Sequence, residues 1–189
     1  TYLFYLTSQS GVNPEIISNG FYSGSTLSPQ EYHFENIGPD LRGYFADWAA
    51  HNTAGFDYLT EAQVQRAQYE VDALVEMQGI SEWLHPYVTT LSNAGTDGAW
   101  FRPEANVTAR GWAYNVIRIE NSSADTYTFS LDGDSTGSEG AASHLEGRIV
   151  VMGSDGPRYS TLTMSDDVDG TGSVVVSATD RDVFLVIAS

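Results

Sequence analysis

Apolar positions along this 189-residue chain recur at helical spacing before Asn93–Ala105 and at strand spacing after it. In the first part, Leu41, Tyr44, Phe45, Trp48 and Ala49 fall at i, i+3, i+4, i+7 and i+8, which predicts a helix with one buried face. Thr60 and Gln63 form a capping signature ahead of a longer pattern through Val64, Ala67, Val71, Leu74 and Val75 that ends at Gly79. Helical spacing resumes over Ser81–Leu91, interrupted by Pro86. Two shorter helices are announced by Asn13-Pro14 and by Ser28-Pro29 with Glu31, each an N-cap residue before a proline at the first helical position. Tyr2–Thr7 is too short for period alone to settle; Gly11 as a terminator favours a helix, with a strand as the rival.

In the second part the chain breaks into short runs of β-branched and aromatic residues: Gly111–Glu120, Asp125–Leu131, Glu146–Met152, Arg158–Met164, Gly172–Ala178 and Asp182–Ala188. Turn-forming clusters separate them, among them Asp132-Gly133-Asp134 and Ser154-Asp155-Gly156-Pro157. Alternation of Tyr127, Phe129 and Leu131, and of Phe184 and Val186, gives at least two strands a buried face. The expected fold is α+β: a helical segment over residues 1–92, a connection over 93–108, and an antiparallel β-sandwich of jelly-roll or immunoglobulin-like kind over 109–189, the two units touching.

Composition narrows the function. Twenty-five acidic residues against eight basic ones give a net charge of −17, which repels phosphate backbones and anionic membranes and argues against nucleic acid as a partner. All the basic residues are arginine, so lysine chemistry is excluded within this chain, and the absence of cysteine excludes disulfides and thiolate sites. No apolar stretch is long enough to span a membrane. Acidic excess with Asp-, Gly-, Ser- and Thr-rich loops suits a secreted protein in saline or calcium-containing water.

Candidate chemistry sits in loops and at the junction. Asp132, Asp134 and Glu139 bring hard oxygen ligands into one loop, and Asp167 and Asp169 bring them into another, as calcium requires. Such clusters also form solvated turns without an ion, the commoner outcome in so acidic a chain. His51, near Asp47 and Asp57, is either part of an acid–base or metal group or a helix C-cap. Trp100, Trp112 and Tyr114 either form a sugar-stacking platform or seal the seam between the two units. Neither a nucleophile elbow nor a convergent carboxylate pair can be singled out.

Three stretches resemble the rear part of secreted bacterial proteins that join a gluzincin-like zinc-peptidase region to a C-terminal β-sandwich. They are Tyr2–Thr7 continuing to Gly11–Ile17, Leu41–Asn52 with Phe56–Tyr58, and Gly111–Ile117 with Val183–Ala188. The resemblance implies helices that buttress a zinc-bearing segment and a sandwich that contacts substrate, cell surface or a neighbouring protein. A gluzincin's paired helical histidines are missing: none of His33, His51, His85 and His144 has a histidine at i+4. On this resemblance the metal-binding part either lies in a segment upstream of Thr1 or has degenerated in this protein, and this chain would be its non-catalytic binding and stabilising part. Two other readings are a structural or adhesive subunit assembling through its apolar N-terminal segment, and a module that binds polysaccharide.

Overall fold

The computed structural model describes residues 2–22, 26–55, 57, 59–63, 65, 87–92, 113–120, 125–133 and 144–189. Helices α1 (Tyr2–Ser8), α2 (Pro14–Tyr22), α3 (Pro29–Ile37) and α4 (Asp40–Thr53) come first. Tyr2–Ser8 is thus a helix rather than the rival strand. Its last turn closes with Gln9 and Ser10 N–H groups both donating to the Tyr5 carbonyl, before Gly11 at φ 69° turns the chain. Asn13 caps α2 by accepting from the Glu15 N–H at 2.9 Å. Ser28 and Glu31 form the reciprocal capping box at α3. Thr60 and Gln63 repeat that box, the Thr60 N–H donating to Gln63 Oε1 at 2.9 Å; the remainder of that expected helix lies outside the described residues.

Eight strands follow: β1 (Tyr87–Ser92), β2 (Tyr114–Glu120), β3 (Asp125–Leu131), β4 (Glu146–Gly153), β5 (Gly156–Thr161), β6 (Thr163–Met164), β7 (Gly170–Val176) and β8 (Asp182–Ala188). They make a five-stranded sheet in the order β1-β2-β8-β4-β5 and a three-stranded sheet in the order β3-β7-β6. All described pairings are antiparallel except β1 with β2, which is parallel. The architecture is α+β and sandwich-like, with α4 laid on the outside of the larger sheet and the other helices gathered around it.

Two expectations need correction. Ser81–Leu91 has helical spacing, yet Tyr87–Ser92 is a strand at the edge of the five-stranded sheet, residues 81–86 lying outside the described ones. Pro86 bars a helix from continuing through it, and the β-branched Val88, Thr89 and Thr90 that follow suit an extended ladder beside β2. Arg158–Met164 was read as one strand and is two, in different sheets, with the chain changing sheets at Leu162. Leu162 is 1% exposed, and its N–H donates to the Gly147 carbonyl at 3.0 Å. A Cβ at Gly147 or Gly172 would come within 2.3 Å or 2.6 Å of its side chain. These two glycines, one from each sheet, leave the slot that Leu162 fills.

The core is layered. Between the sheets lie Ile117, Ile119, Phe129, Ile149, Val151, Leu162, Val176, Val183, Leu185 and Ile187. On the opposite face of the larger sheet, Val116, Val150 and Val186 pack against Ala49 and Ala50 of α4. Strand β8 is therefore covered on both faces, which is why it reads Val-Phe-Leu-Val-Ile-Ala without polar interruption. Phe184 and Val186 face the helices while Val183, Leu185 and Ile187 face the smaller sheet. A separate cluster of Leu6, Val12, Ile17 and Leu41 holds α1, α2 and α4 together.

Candidate functional site

The ionisable side chains that come together across distant parts of the chain do so along the seam where α4 meets the larger sheet. Helix α4 lies along β4 and β8 with Ala46, Ala49 and Ala50 inward, and these small residues let its backbone approach the sheet closely. Tyr2, Phe45, Trp48 and Tyr114 fill the space beside it; the Tyr114 ring lies 5.8 Å from Trp48 and 6.4 Å from Phe45, centroid to centroid. Burial raises the Tyr114 phenol above its ordinary value, an effect offset in part by its hydrogen bond with Asn52. The Tyr2 phenol is raised for the same first reason, and its hydroxyl donates to the Leu41 carbonyl at 3.1 Å.

Arg148 of β4 lies on the helix-facing side and is 6% exposed. Its Nε donates to Asp47 Oδ1 of α4, its Nη2 to the Gly43 carbonyl at 3.2 Å, and its Nη1 to the Gly147 carbonyl at 3.0 Å and Glu146 Oε2 at 3.1 Å. A planar, permanently charged fork suits a site that must satisfy several acceptors at once. Gly43 helps by carrying no side chain where Nη2 arrives, 3.6 Å from the position a Cβ would take.

At the other end of α4, His51 occupies the last helical turn. Its Nδ1 meets Asp57 Oδ1 at 2.6 Å, and the carboxylate, able only to accept, makes Nδ1 the donor. Asp57 Oδ2 accepts the Tyr159 hydroxyl of β5 at 2.6 Å. The imidazole packs against the Tyr159 ring, tilted by 43° with centroids 4.3 Å apart, and lies 5.5 Å from the ring of Tyr5 on α1. Burial, and next the hydrogen bond to Asp57, raise the Tyr159 phenol, so it remains a donor. A helix residue and a strand residue thus converge on one carboxylate.

Of the two carboxylates expected near His51, Asp57 pairs with it and Asp47 is taken by Arg148. Arg148 and Tyr159 were not singled out from sequence. A charged residue inside the apolar run Gly147–Met152 was a visible signal for Arg148; nothing local pointed to Tyr159, whose partner is 102 positions away.

The acidic loops sit elsewhere. Asp169 Oδ1 accepts from the Gly133 N–H at 3.0 Å, which brings the Asp132-Gly133 turn beside the second loop. Asp167 Oδ1 lies 2.9 Å from His144 Nδ1. Asp166 accepts from the Val168 and Asp169 N–H groups, and these bonds hold its carboxyl below the usual range. Asp132 is exposed. No group of three or more metal-ligating side chains is assembled among the described residues. Asp134, Glu139, Trp100 and Trp112 lie outside them. No described helix is long and apolar enough to cross a membrane.

Fold and seam together define an α+β protein whose sandwich-like pair of sheets carries a helical layer fastened by an aromatic seam and by ion pairs anchored on the buried Arg148. Comparison with protein-family models, curated proteins and solved structures finds no match to this chain.

Proposed function

We propose that this chain is a non-catalytic binding and stabilising portion of a secreted zinc-peptidase-like protein, its helices buttressing a zinc-bearing segment and its sandwich serving as an accessory domain. One observation carries the reading: the three resembling stretches, far apart in sequence, assemble into a single supporting body. Tyr2–Ser8 and Pro14–Tyr22 form the successive helices α1 and α2, Asp40–Thr53 is the long helix α4 whose exit carries Asp57, and β2 lies beside β8 with Tyr114 opposite Ala188. The seam side chains described above are used on one another, as suits a mechanical joint. Leu3 and Phe4 on the outward side of α1, 39% and 44% exposed, offer an apolar surface on which the neighbouring segment packs.

The reading is tested by intact mass and zinc content of the native protein recovered from culture medium. A polypeptide carrying stoichiometric zinc together with these residues is expected. A zinc-free native protein overturns it. Replacing Leu3 and Phe4 by serine is expected to loosen the neighbouring segment, read as faster limited proteolysis there, while the melting temperature of the sandwich holds.

The assembling-subunit reading draws on the same outward pair of α1. Assembly by strand addition would require α1 to unfold and surrender the buried Tyr5 and Leu6, so assembly through the intact helix is the form the geometry favours.

A further inference from the structure

The outer face of the three-stranded sheet differs in character from the rest of the surface. Register places Thr126 of β3 opposite Val175 of β7, Thr128 opposite Ser173, and Ser130 opposite Thr171, with Thr163 of β6 completing that last row. All of these side chains are exposed. In a chain of net charge −17 none of them is charged. The intervening residues Tyr127, Phe129 and Leu131 turn inward to the core, so the outward positions are fixed by the pleat. None of the six hydroxyls hydrogen-bonds another described side chain. Val175, 69% exposed, is the most exposed large apolar residue among those described.

We propose that this face docks a neutral polysaccharide. The result is a shallow array with hydroxyls about 4.8 Å apart across strands and about 6.8 Å apart along them. Each hydroxyl both donates and accepts, which matches the edge of a sugar ring, and Val175 supplies the apolar contact for the ring's C–H face. The lack of charge selects against anionic and cationic polymers, whose partners present complementary charge. A second copy of the chain is the weaker occupant. The face covers on the order of 200 Å² by strand spacing, against about 800 Å² per partner in a stable interface. Bringing two bodies of charge −17 together adds repulsion.

The proposal does not depend on the zinc-bearing segment and is tested on the full chain with suspensions of cellulose and of chitin, and alginate as an anionic comparator. Retention by a neutral polymer and not by alginate is expected. Thr128→Lys with Ser173→Glu, an opposite-charge pair across the strands, is expected to weaken retention about tenfold, since at least two neutral hydroxyl contacts are lost. Val175→Ser, which keeps the sheet's polarity outward, is expected to weaken it a few-fold with an unchanged melting curve, and it carries the test if the charged pair disturbs folding. Absence of retention on both neutral polymers overturns the proposal. So does retention that both variants leave intact, or equal retention on alginate. Concentration-dependent dimerisation in sedimentation that the variants abolish gives the face to a second copy and overturns it as well.

Discussion

The two faces of the five-stranded sheet are made by the same strands and solve different problems. The inner face is apolar through its centre, with polar residues such as Ser160 and Arg158 toward its β5 edge: the row Ile117, Leu185 and Ile149 lies across β2, β8 and β4 and meets Phe129, Leu162 and Val176 from the smaller sheet. The helix-facing side alternates valines with Arg118, Arg148, Tyr114 and Tyr159, and ties each arginine to carboxylates. A dry face between two sheets needs no polar groups, because both backbones are satisfied within their ladders. A helix on a sheet can slide and rotate over an apolar surface, and directional bonds at its two ends remove that freedom. Apolar packing supplies the energy on one side; hydrogen bonds set the register on the other.

That comparison predicts a ranking. Leu162→Ala strikes the dry face where the two sheets join, leaving a cavity bounded by Gly147 and Gly172, neither of which has a side chain to fill it. The expected loss is about 3 kcal/mol, read from urea unfolding. Arg148→Ala strikes the seam and is expected to cost about 2 kcal/mol. It removes the bonds to Asp47, Glu146 and the Gly43 and Gly147 carbonyls, although the half-exposed Asp47 regains water and so limits the penalty. If Arg148→Ala proves the costlier, the seam contributes energy as well as register, and the contrast between the faces fails.

Tyr159→Phe is the next step down. It keeps the ring packed against His51 and deletes the hydroxyl whose proton Asp57 accepts, so the expected loss is about 1 kcal/mol. Hydrogen exchange should sharpen the distinction: amides in the last turn of α4 are expected to exchange faster, while those of β4 and β8 are unchanged. Uniform acceleration through the sheet would mean that the two faces do not open separately.

Local chemistry was legible and long-range company was not. Asn13, Ser28 with Glu31, Thr60 with Gln63, and Gly11 announced element ends because caps act within a few residues. The buried face of α4 was legible from its period. Leu162 was not, because a chain that changes sheets at a buried residue keeps an unbroken strand-like pattern; only Gly147 and Gly172, the glycines that make room for it, hinted at the crossing. The double burial of β8 was hidden in the same way, since a run of apolar residues does not say how many layers will cover it. His51 was singled out, but its tie to β5 depends on Tyr159, more than a hundred positions on. No spacing rule reaches that far.

The smallest predicted effect lies at the rim of the dry face, where a charged pair sits. Arg158 of β5 makes a two-pronged contact with Asp180, at 2.9 and 2.8 Å, and its Nη2 also reaches the Val175 carbonyl of the smaller sheet at 3.3 Å. The Ser177 N–H donates to the same carboxylate at 2.7 Å. The guanidinium first, and then the backbone N–H, hold the Asp180 carboxyl well below the usual range. Because the folded-state value lies below the unfolded one, the stabilisation is complete above the unfolded-chain value of about 3.9 and is lost as pH falls below it. Glu31 at its capping box and Asp166 in its turn are lowered in the same direction and add to this acid limb. Asp180→Asn is therefore expected to lower the melting temperature slightly near neutral pH and to make the curve of melting temperature against pH flatter below about pH 4. The Arg158 side chain is half-exposed although the Asp180 carboxylate beneath it is covered, so added salt reaches the pair from the arginine side and should reduce the difference between variant and wild type. A difference that persists at acid pH and in high salt would assign Asp180 to packing, and polar fastening would then be confined to the helix-facing seam.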